Sequence, residues 1–551
     1  MKRDNRVRDF IFPIKIKAIG GNIENAEALT KESELQIATV EPSLMRVEGK
    51  GYIILDFGKE YYGGIRILTK VTRRNEEGNV PYPLRIRFGE SITECSAELG
   101  EKNARNDHAV RDMNVILGSH SDMEFGNTGF RFVRLDFSEG YAVDVKSVVA
   151  VFVHRELTRK GYFLSDDERL NEIYSVAART CDLCMQTMLW DGIKRDKLVW
   201  MGDIHPEMTT IACLYGYDEC IEEALDFVVR QYRLPEYINN KPSYSLWFVI
   251  VLYDWYMQNG DNRLIARHID YVSALFDNLD ELVDESGEMH LRGYFFDWPS
   301  HPNSNSNEGG SVNGKNGVKS LFLMALDRAI KMYKILDKPT EKLCSLKQRL
   351  LKNVLPAPDN KQAIAFKALS ENAYSEELGE KLVCGGSKGF STFMTYFLLS
   401  AIAESGRTDD AVTVAKEYYG AMLDKGATTF WEDFDIEWVN GTSRIDEFPK
   451  DGEEDIHGDR GDYCYKGFRH SLCHGWSSGI VGFLTKYVLG VNVLSSGCKK
   501  VQIKPFLPNG INSVKGAYPT PYGIIEIEHK RVGNKVESTV TAPAEVKIIK
   551  A

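Results

Sequence analysis

Several absences narrow the reading first. No run of 18 or more apolar residues occurs in the 551-residue chain, so nothing in it has the length of a transmembrane helix. The N-terminus, MKRDNRVRDFIFPIKIKAIG, is basic, but Pro13, Lys15 and Lys17 break its apolar stretch, where a signal peptide needs about 7–15 continuous apolar residues. The expected location is therefore cytoplasmic, or periplasmic or exported if a leader has been removed. An excess of positive charge is missing too. The net charge of −11 argues against nucleic acid or an anionic membrane as the main partner. The ten cysteines form no dense cluster. Cys181 and Cys184 make a C-x-x-C inside a helical pattern, with no second Cys or His pair to complete a four-ligand zinc site, so thiols without a metal or other cofactor are expected. Low-complexity linkers are also lacking, although the length exceeds what one core can serve and several domains are required.

What is present falls into three regions. Residues 1–160 read as β: GYIILDFG (51–58), IRILTKVT (65–72), LRIRFGE (84–90), FRFVRLDF (130–137) and VKSVVAVFVH (145–154) alternate or run in β-branched and aromatic residues. Turns are expected at YYGG and FGNTG, and the polar stretch ECSAELGEKNARNDHAV (94–110) reads as a long loop. Short strands at this spacing predict a β-sandwich. Near residue 165 the period changes. Leu170, Ile173, Tyr174, Ala177, Cys181, Cys184 and Met188 form one helical stripe behind Ser165 as the expected N-cap. Further helical patterns follow at 206–216, 218–232, 243–258, 262–284, 316–337, 340–353, 388–404, 408–424 and 475–489, which suggests a barrel of paired helices over 161–490. Residues 491–551 return to alternating β segments.

The loops between helices hold Trp190, Trp200, Trp298, Trp431, Trp438 and Trp476 beside Asp, Glu, His and Arg. Indole faces pack on the C–H faces of sugars while carboxylates and guanidinium groups bond hydroxyls, so the mixture suits a carbohydrate ligand. Four stretches stand out: DGIKRDKLVWMGD (191–203), GYFFDWPS (293–300), GATTFWEDFDIEW (426–438) and SLCHGWSSG (471–479). The first and third supply carboxylates from distant parts of the chain, as glycoside hydrolysis needs. Taken singly, each has a plainer account. Asp196 can pair with Arg195 or Lys197 at a surface, Asp203 can cap a helix, Glu432 can be an arginine's partner, and His474–Gly475 can close a loop.

Taken together, DGIKRDKLVWMGD, GATTFWE and SLCHGWSSG in this order resemble the α-L-rhamnosidases of glycoside hydrolase family 78. LDFGKEYYGGIRI, LRIRFGES and GNTGFRFVRL resemble the β-sandwich that precedes their catalytic barrel. The resemblance implies an (α/α)6 helical barrel flanked by an N-terminal β-sandwich and a small C-terminal β-sandwich, and inverting hydrolysis of terminal α-L-rhamnosides. It implies Asp196 as the general acid and Glu432 as the base. Relatives often carry Glu in a wording closer to RDERLGW, so the acid's position is ambiguous by one residue. Asp191, Arg195, Asp203, Asp297 and His474 fall at positions that resemble sugar-hydroxyl contacts, and Trp200, Trp298, Trp431 and Trp476 resemble aromatic walls. A rhamnose-containing glycoside is the expected partner, and a homodimer is allowed. Another sugar for the same barrel, or a non-hydrolytic sugar-binding relative, are the alternatives. One tension accompanies the assignment: a proton-donating Asp196 stands beside Lys194, Arg195 and Lys197, which should therefore point away or bind other carboxylates.

Overall fold

A computed structural model describes residues 3–37, 43–297, 310–461 and 465–550. The chain opens with β1 (Arg6–Ile11), β2 (Lys15–Glu24), β3 (Met45–Arg74), β4 (Glu77–Gly78) and β5 (Tyr82–Gly89). A short helix α1 (Ile92–Ser96) follows, then β6 (Asp112–Leu117), β7 (Ser121–Phe137) and β8 (Tyr141–Arg155). The strands run in the order β1-β8-β3-β7-β5-β6, with β2 and β4 also on β3. Ile53, Leu55, Phe57, Phe88 and Phe130 fill their core.

Two expected turns are absent. The YYGG segment lies within the 30-residue β3, and FGNTG lies within β7. Their glycines serve close approach instead. A Cβ on Gly63 would meet the Val151 carbonyl at 2.0 Å, and one on Gly64 the Phe125 carbonyl at 2.1 Å, so β3 passes between its neighbours only where side chains are missing. The polar stretch at 94–110 is also more ordered than a loop, since α1 covers its first residues. The Ser91 hydroxyl accepts the Glu94 N–H and caps that turn.

A short strand β9 (Tyr162–Ser165) leads into twelve helices. They are α2 (Glu168–Cys184), α3 (Ile204–Tyr215), α4 (Glu219–Gln231), α5 (Pro242–Asn259), α6 (Asn262–Asp280), α7 (Val312–Ile335), α8 (Glu341–Lys352), α9 (Lys361–Glu371), α10 (Glu376–Val383), α11 (Thr395–Glu404), α12 (Thr408–Asp424) and α13 (Ile480–Tyr487). The cap of α2 is Asp167, whose carboxylate accepts the Leu170 N–H at 3.0 Å; Ser165 belongs to β9. The short α9 and α10 escape a periodicity reading because each offers only two or three turns. The first turns of the expected 475–489 helix are a 3-10 turn at Gly475–Gly479.

The helices alternate between two rings. In sequence α3, α5, α7, α9, α11 and α13 each pack on the next, and α13 packs back on α3, which closes the inner ring. Composition explains the sorting. Helix α5 is apolar around its whole girth and buries Leu246, Trp247, Phe248, Ile250 and Leu252, whereas α6 buries one stripe, Leu264, Ile265, Ile269, Val272 and Phe276. Each fully buried large side chain contributes about 1.5–3 kcal/mol.

The chain ends with β10 (Val491–Val493), β11 (Lys500–Ile503), β12 (Ser513–Thr520), β13 (Gly523–Val532), β14 (Lys535–Thr541) and β15 (Lys547–Lys550). They form a three-stranded sheet, β10-β11-β15, and a four-stranded one, β14-β13-β12-β9. Strand β9 thus joins the C-terminal sheet, pairing Ser165 with Val514. Cys181 and Cys184 are buried thiols in α2.

Candidate active site

The loop at 191–203 is closed by its first residue. Asp191 donates its N–H to the Leu198 carbonyl at 3.0 Å, and its Oδ1 accepts the Leu198 N–H at 2.8 Å. At the tip Asp196 and Lys197 both take left-handed backbone, with φ of 53° and 55°. Such geometry costs a residue with a side chain about 1 kcal/mol and persists only where surroundings enforce it. The anchors are the flanking cations. Lys194 is buried between Glu94 (2.7 Å) and Glu90 (3.2 Å) and donates to the carbonyls of Phe468 and His470. Arg195 Nη2 bonds Glu432 Oε1, and Lys197 Nζ reaches the Asn127 carbonyl at 3.2 Å. Two of the three cations thus engage carboxylates other than Asp196, while Arg195 Nη1 stays 3.8 Å from Asp196 Oδ1.

Glu432 is buried from every side. Its Oε2 accepts the Ser471 N–H at 3.0 Å, its Oε1 lies 3.5 Å from His474 Nε2, and its main-chain carbonyl accepts from Thr392 and the Trp476 indole. The GATTFWE and SLCHGWSSG stretches are therefore laced together, with Glu432 and Ser471 exchanging main-chain and side-chain bonds. Burial pushes the Glu432 carboxyl above its ordinary range, and the Arg195 guanidinium holds part of that rise back.

A cavity of about 190 Å³ is lined by Asp191, Arg195, Asp196, Trp200, Asp203, Tyr244, Glu432, Tyr465, Arg469, His474 and Trp476. Burial, reinforced by neighbouring carboxylates, raises Asp191 and Asp203 well above the usual carboxylate range, so both favour the protonated form. Asp203 stands at the N-cap position of α3 without making a cap bond, and its Oδ1 has no hydrogen-bond partner among the described residues. His474 is held neutral by burial and by Arg195, and its Nδ1 is likewise unpartnered among the described residues. Its ring lies 4.1 Å from that of Trp476, which stacks on Phe393. Protonated carboxyls, a neutral imidazole, a guanidinium and indole faces together can bond and seat a polyhydroxylated ring.

Eight of the residues singled out from the sequence meet here, and two other described ones do not. Trp431 packs against Phe434 and His470, is 1% exposed, and does not line the cavity. Asp297 is also fully buried, accepting the Ser391 hydroxyl, and stands off the cavity wall. Trp298 lies outside the described residues. The sequence reading missed Tyr244, Tyr465 and Arg469, which carry no local signal of their own. It also missed His108, whose Nδ1 lies 3.2 Å from Asp196 Oδ1, and Glu207, one turn along α3 from Asp203.

Oxygens of Glu90 and Glu94 and a His457 nitrogen lie within 4.8 Å of one another. The Lys194 ammonium already provides the positive charge there. His457 Nδ1 is bonded to Ser91 Oγ, and its Nε2 to the His470 carbonyl.

The paired helices thus close a ring, and a cavity lined by carboxyl groups lies among their loops. Residues 158–351 match the family model of the bacterial alpha-L-rhamnosidase six-hairpin glycosidase domain, and residues 490–549 match that of the bacterial alpha-L-rhamnosidase C-terminal domain. More particularly, both matched regions are similar to α-L-rhamnosidases. An alpha-L-rhamnosidase of Alteromonas sp. (strain LOR) is 22% identical over 95% of this chain and 57% of its own length. The structure is similar to the family 78 rhamnosidase of Bacillus sp. GL1 (TM-score 0.74, 18% identity, 95% of this chain, 55% of that one). It is also similar to a rhamnosidase from Klebsiella oxytoca with rhamnose bound (TM-score 0.67, 19% identity, 88% of this chain, 96% of that one). The chain thus spans little more than half the length of the Alteromonas and Bacillus proteins.

Proposed function

We propose that the protein hydrolyses terminal α-L-rhamnosides with inversion, Asp196 acting as general acid and Glu432 as general base. The observation that carries this reading is the Arg195 guanidinium, which bonds Glu432 with one terminal nitrogen and faces Asp196 with the other, so both carboxyl groups line one cavity. Contact with that cation favours the ionised form Glu432 needs to take a proton from water as it attacks the anomeric carbon. Asp196, more open than Glu432, gives its proton to the departing glycosidic oxygen. Asp191, Asp203 and His474 bond ring hydroxyls, and Trp200 and Trp476 cover the apolar face, including the C5 methyl of rhamnose. The names of its relatives support the choice of sugar.

The test is release of nitrophenol from p-nitrophenyl α-L-rhamnopyranoside by the purified chain. Asp196→Asn and Glu432→Gln each lower turnover by at least about 100-fold, the usual worth of a positioned acid or base. NMR of the first-formed anomer reads β-L-rhamnose. No turnover of any rhamnoside by the native protein would overturn the reading. An active Asp196→Asn would move the proton donor to Asp191 or Asp203, the two lining carboxyls that burial holds protonated.

A further inference from the structure

The N-terminal β domain reaches the cavity through the 94–110 stretch. There His108, in left-handed backbone with φ of 58°, sets its Nδ1 3.2 Å from Asp196 Oδ1. The His108 side chain keeps 32% of its exposure. Around it stand Asp107, whose carboxylate is 4.0 Å from His108 Nε2 and is held by Arg469 at 3.0 Å, and Arg195, 3.8 Å from Asp196. A part-exposed Asp196 thus meets a part-exposed imidazole from the N-terminal β region at the cavity.

We infer that His108 is a proton relay that recharges Asp196 between turnovers. The inference rests on the assignment of Asp196 as proton donor. During the reaction the Asp196 O–H bond breaks as its proton joins the glycosidic oxygen, and Glu432 receives one proton from the attacking water. The enzyme is left with Asp196 ionised and Glu432 protonated. Resetting it requires one proton in and one out. The His108 imidazolium passes its Nδ1 proton to Asp196 Oδ1, which leaves the ring neutral with its remaining proton on Nε2, and the ring takes its replacement from water at the vacated Nδ1 once it swings away from Asp196. Glu432 returns its proton to solvent. Imidazole suits the step because that side chain type exchanges protons with water near neutral pH. It also reconciles an acid that must be recharged with a site whose lysine and arginine are fixed elsewhere: Lys194 is locked by Glu90 and Glu94.

Recharging precedes the next substrate, so its rate enters kcat and not kcat/KM. In His108→Ala, kcat on p-nitrophenyl α-L-rhamnopyranoside falls roughly tenfold or more, within reach of a lost acid–base group. kcat/KM stays within about twofold, and imidazole added to the buffer restores kcat in proportion to its concentration. A merely structural role moves both constants and is not rescued. His108→Gln, which keeps the side-chain volume but passes no proton, shows the same split. An unchanged kcat in both variants, or a loss that imidazole does not repair, overturns the relay. If Asp196→Asn is inactive while both His108 variants turn over normally, the relay alone fails. A fully active Asp196→Asn brings down the donor assignment and the relay with it.

Discussion

Lys194 Nζ lies 2.7 Å from Glu94 Oε1, joining the loop that carries Asp196 to a helix of the β domain. The same cluster reaches the other side of the cavity. Glu90 accepts the Leu472 N–H at 2.7 Å and the Ser471 hydroxyl at 3.2 Å, and Ser471 in turn donates its N–H to Glu432. One buried ion cluster thus sets the spacing of both proposed catalytic segments. Burial pushes Glu90 up to about 7 even with the Lys194 ammonium beside it.

Removing the cation leaves two buried carboxyl groups without their counter-charge. Lys194→Met is therefore expected to cost about 3–5 kcal/mol of unfolding free energy, the range for breaking a buried pair. Adding Glu94→Gln to it recovers part of the loss. Denaturant unfolding of the two variants measures both. A Lys194→Met protein as stable as the native one would falsify the anchoring role.

Glu207 gives a pH prediction whose sign follows from its burial. Its carboxyl is 1% exposed, has an unpartnered Oε1 among the described residues, and is raised well above the usual range by burial and then by Asp203. A carboxyl whose folded value lies above its unfolded one leaves the native state binding more protons, so stability falls as pH rises past the unfolded value. Glu207→Gln removes that dependence. Its melting temperature should match or trail the native protein near pH 4 and exceed it at pH 8. Parallel curves across that span would contradict the assignment. The same oxygen explains Gly475, where a Cβ would sit 1.6 Å from it.

Arg195 tunes Glu432. Burial raises that carboxyl and the guanidinium lowers it, so replacing Arg195 by Met removes the largest influence that opposes the rise. An acid that must be ionised to act limits the rate on the low-pH side. The acidic limb of the kcat/KM profile of Arg195→Met should therefore move to higher pH, with a lower plateau. A limb that stays put would show that another group sets it.

The sequence carried the site better than it carried the scaffold's closure. DGIKRDKLVWMGD, GATTFWE and SLCHGWSSG each hold several chemistry-bearing residues in a fixed order, and Asp196 converges with Glu432 and His474 although more than 200 residues separate it from them. Helical periodicity gave most of the helices because α6 and α4 show one apolar stripe each. It could not show that α13 returns to α3, since ring closure depends on packing between distant segments. Glycine misled at Gly63 and Gly64, where the residue type that marks turns was needed instead for carbonyl contact inside a strand. His108 and Glu90 were illegible for a different reason. Their partners, Asp196 for His108 and Lys194 and Leu472 for Glu90, lie far along the chain, and no local pattern encodes such a contact.

Exposure separates the two tryptophans that the sequence treated alike. Trp200 is half-buried on the cavity wall, edge-on to Tyr244 at 5.9 Å, whereas Trp431 is buried edge-on to Phe434 at 5.5 Å. An aromatic contact with substrate is worth about 0.5–1.5 kcal/mol, so Trp200→Ala should raise KM roughly 2- to 12-fold and leave unfolding nearly unchanged. Trp431→Ala empties part of the core and should cost about 3–5 kcal/mol of stability. Measuring KM and unfolding for both variants makes the contrast decisive: a KM effect confined to Trp431→Ala would place the sugar on the other side of Glu432 from Trp200.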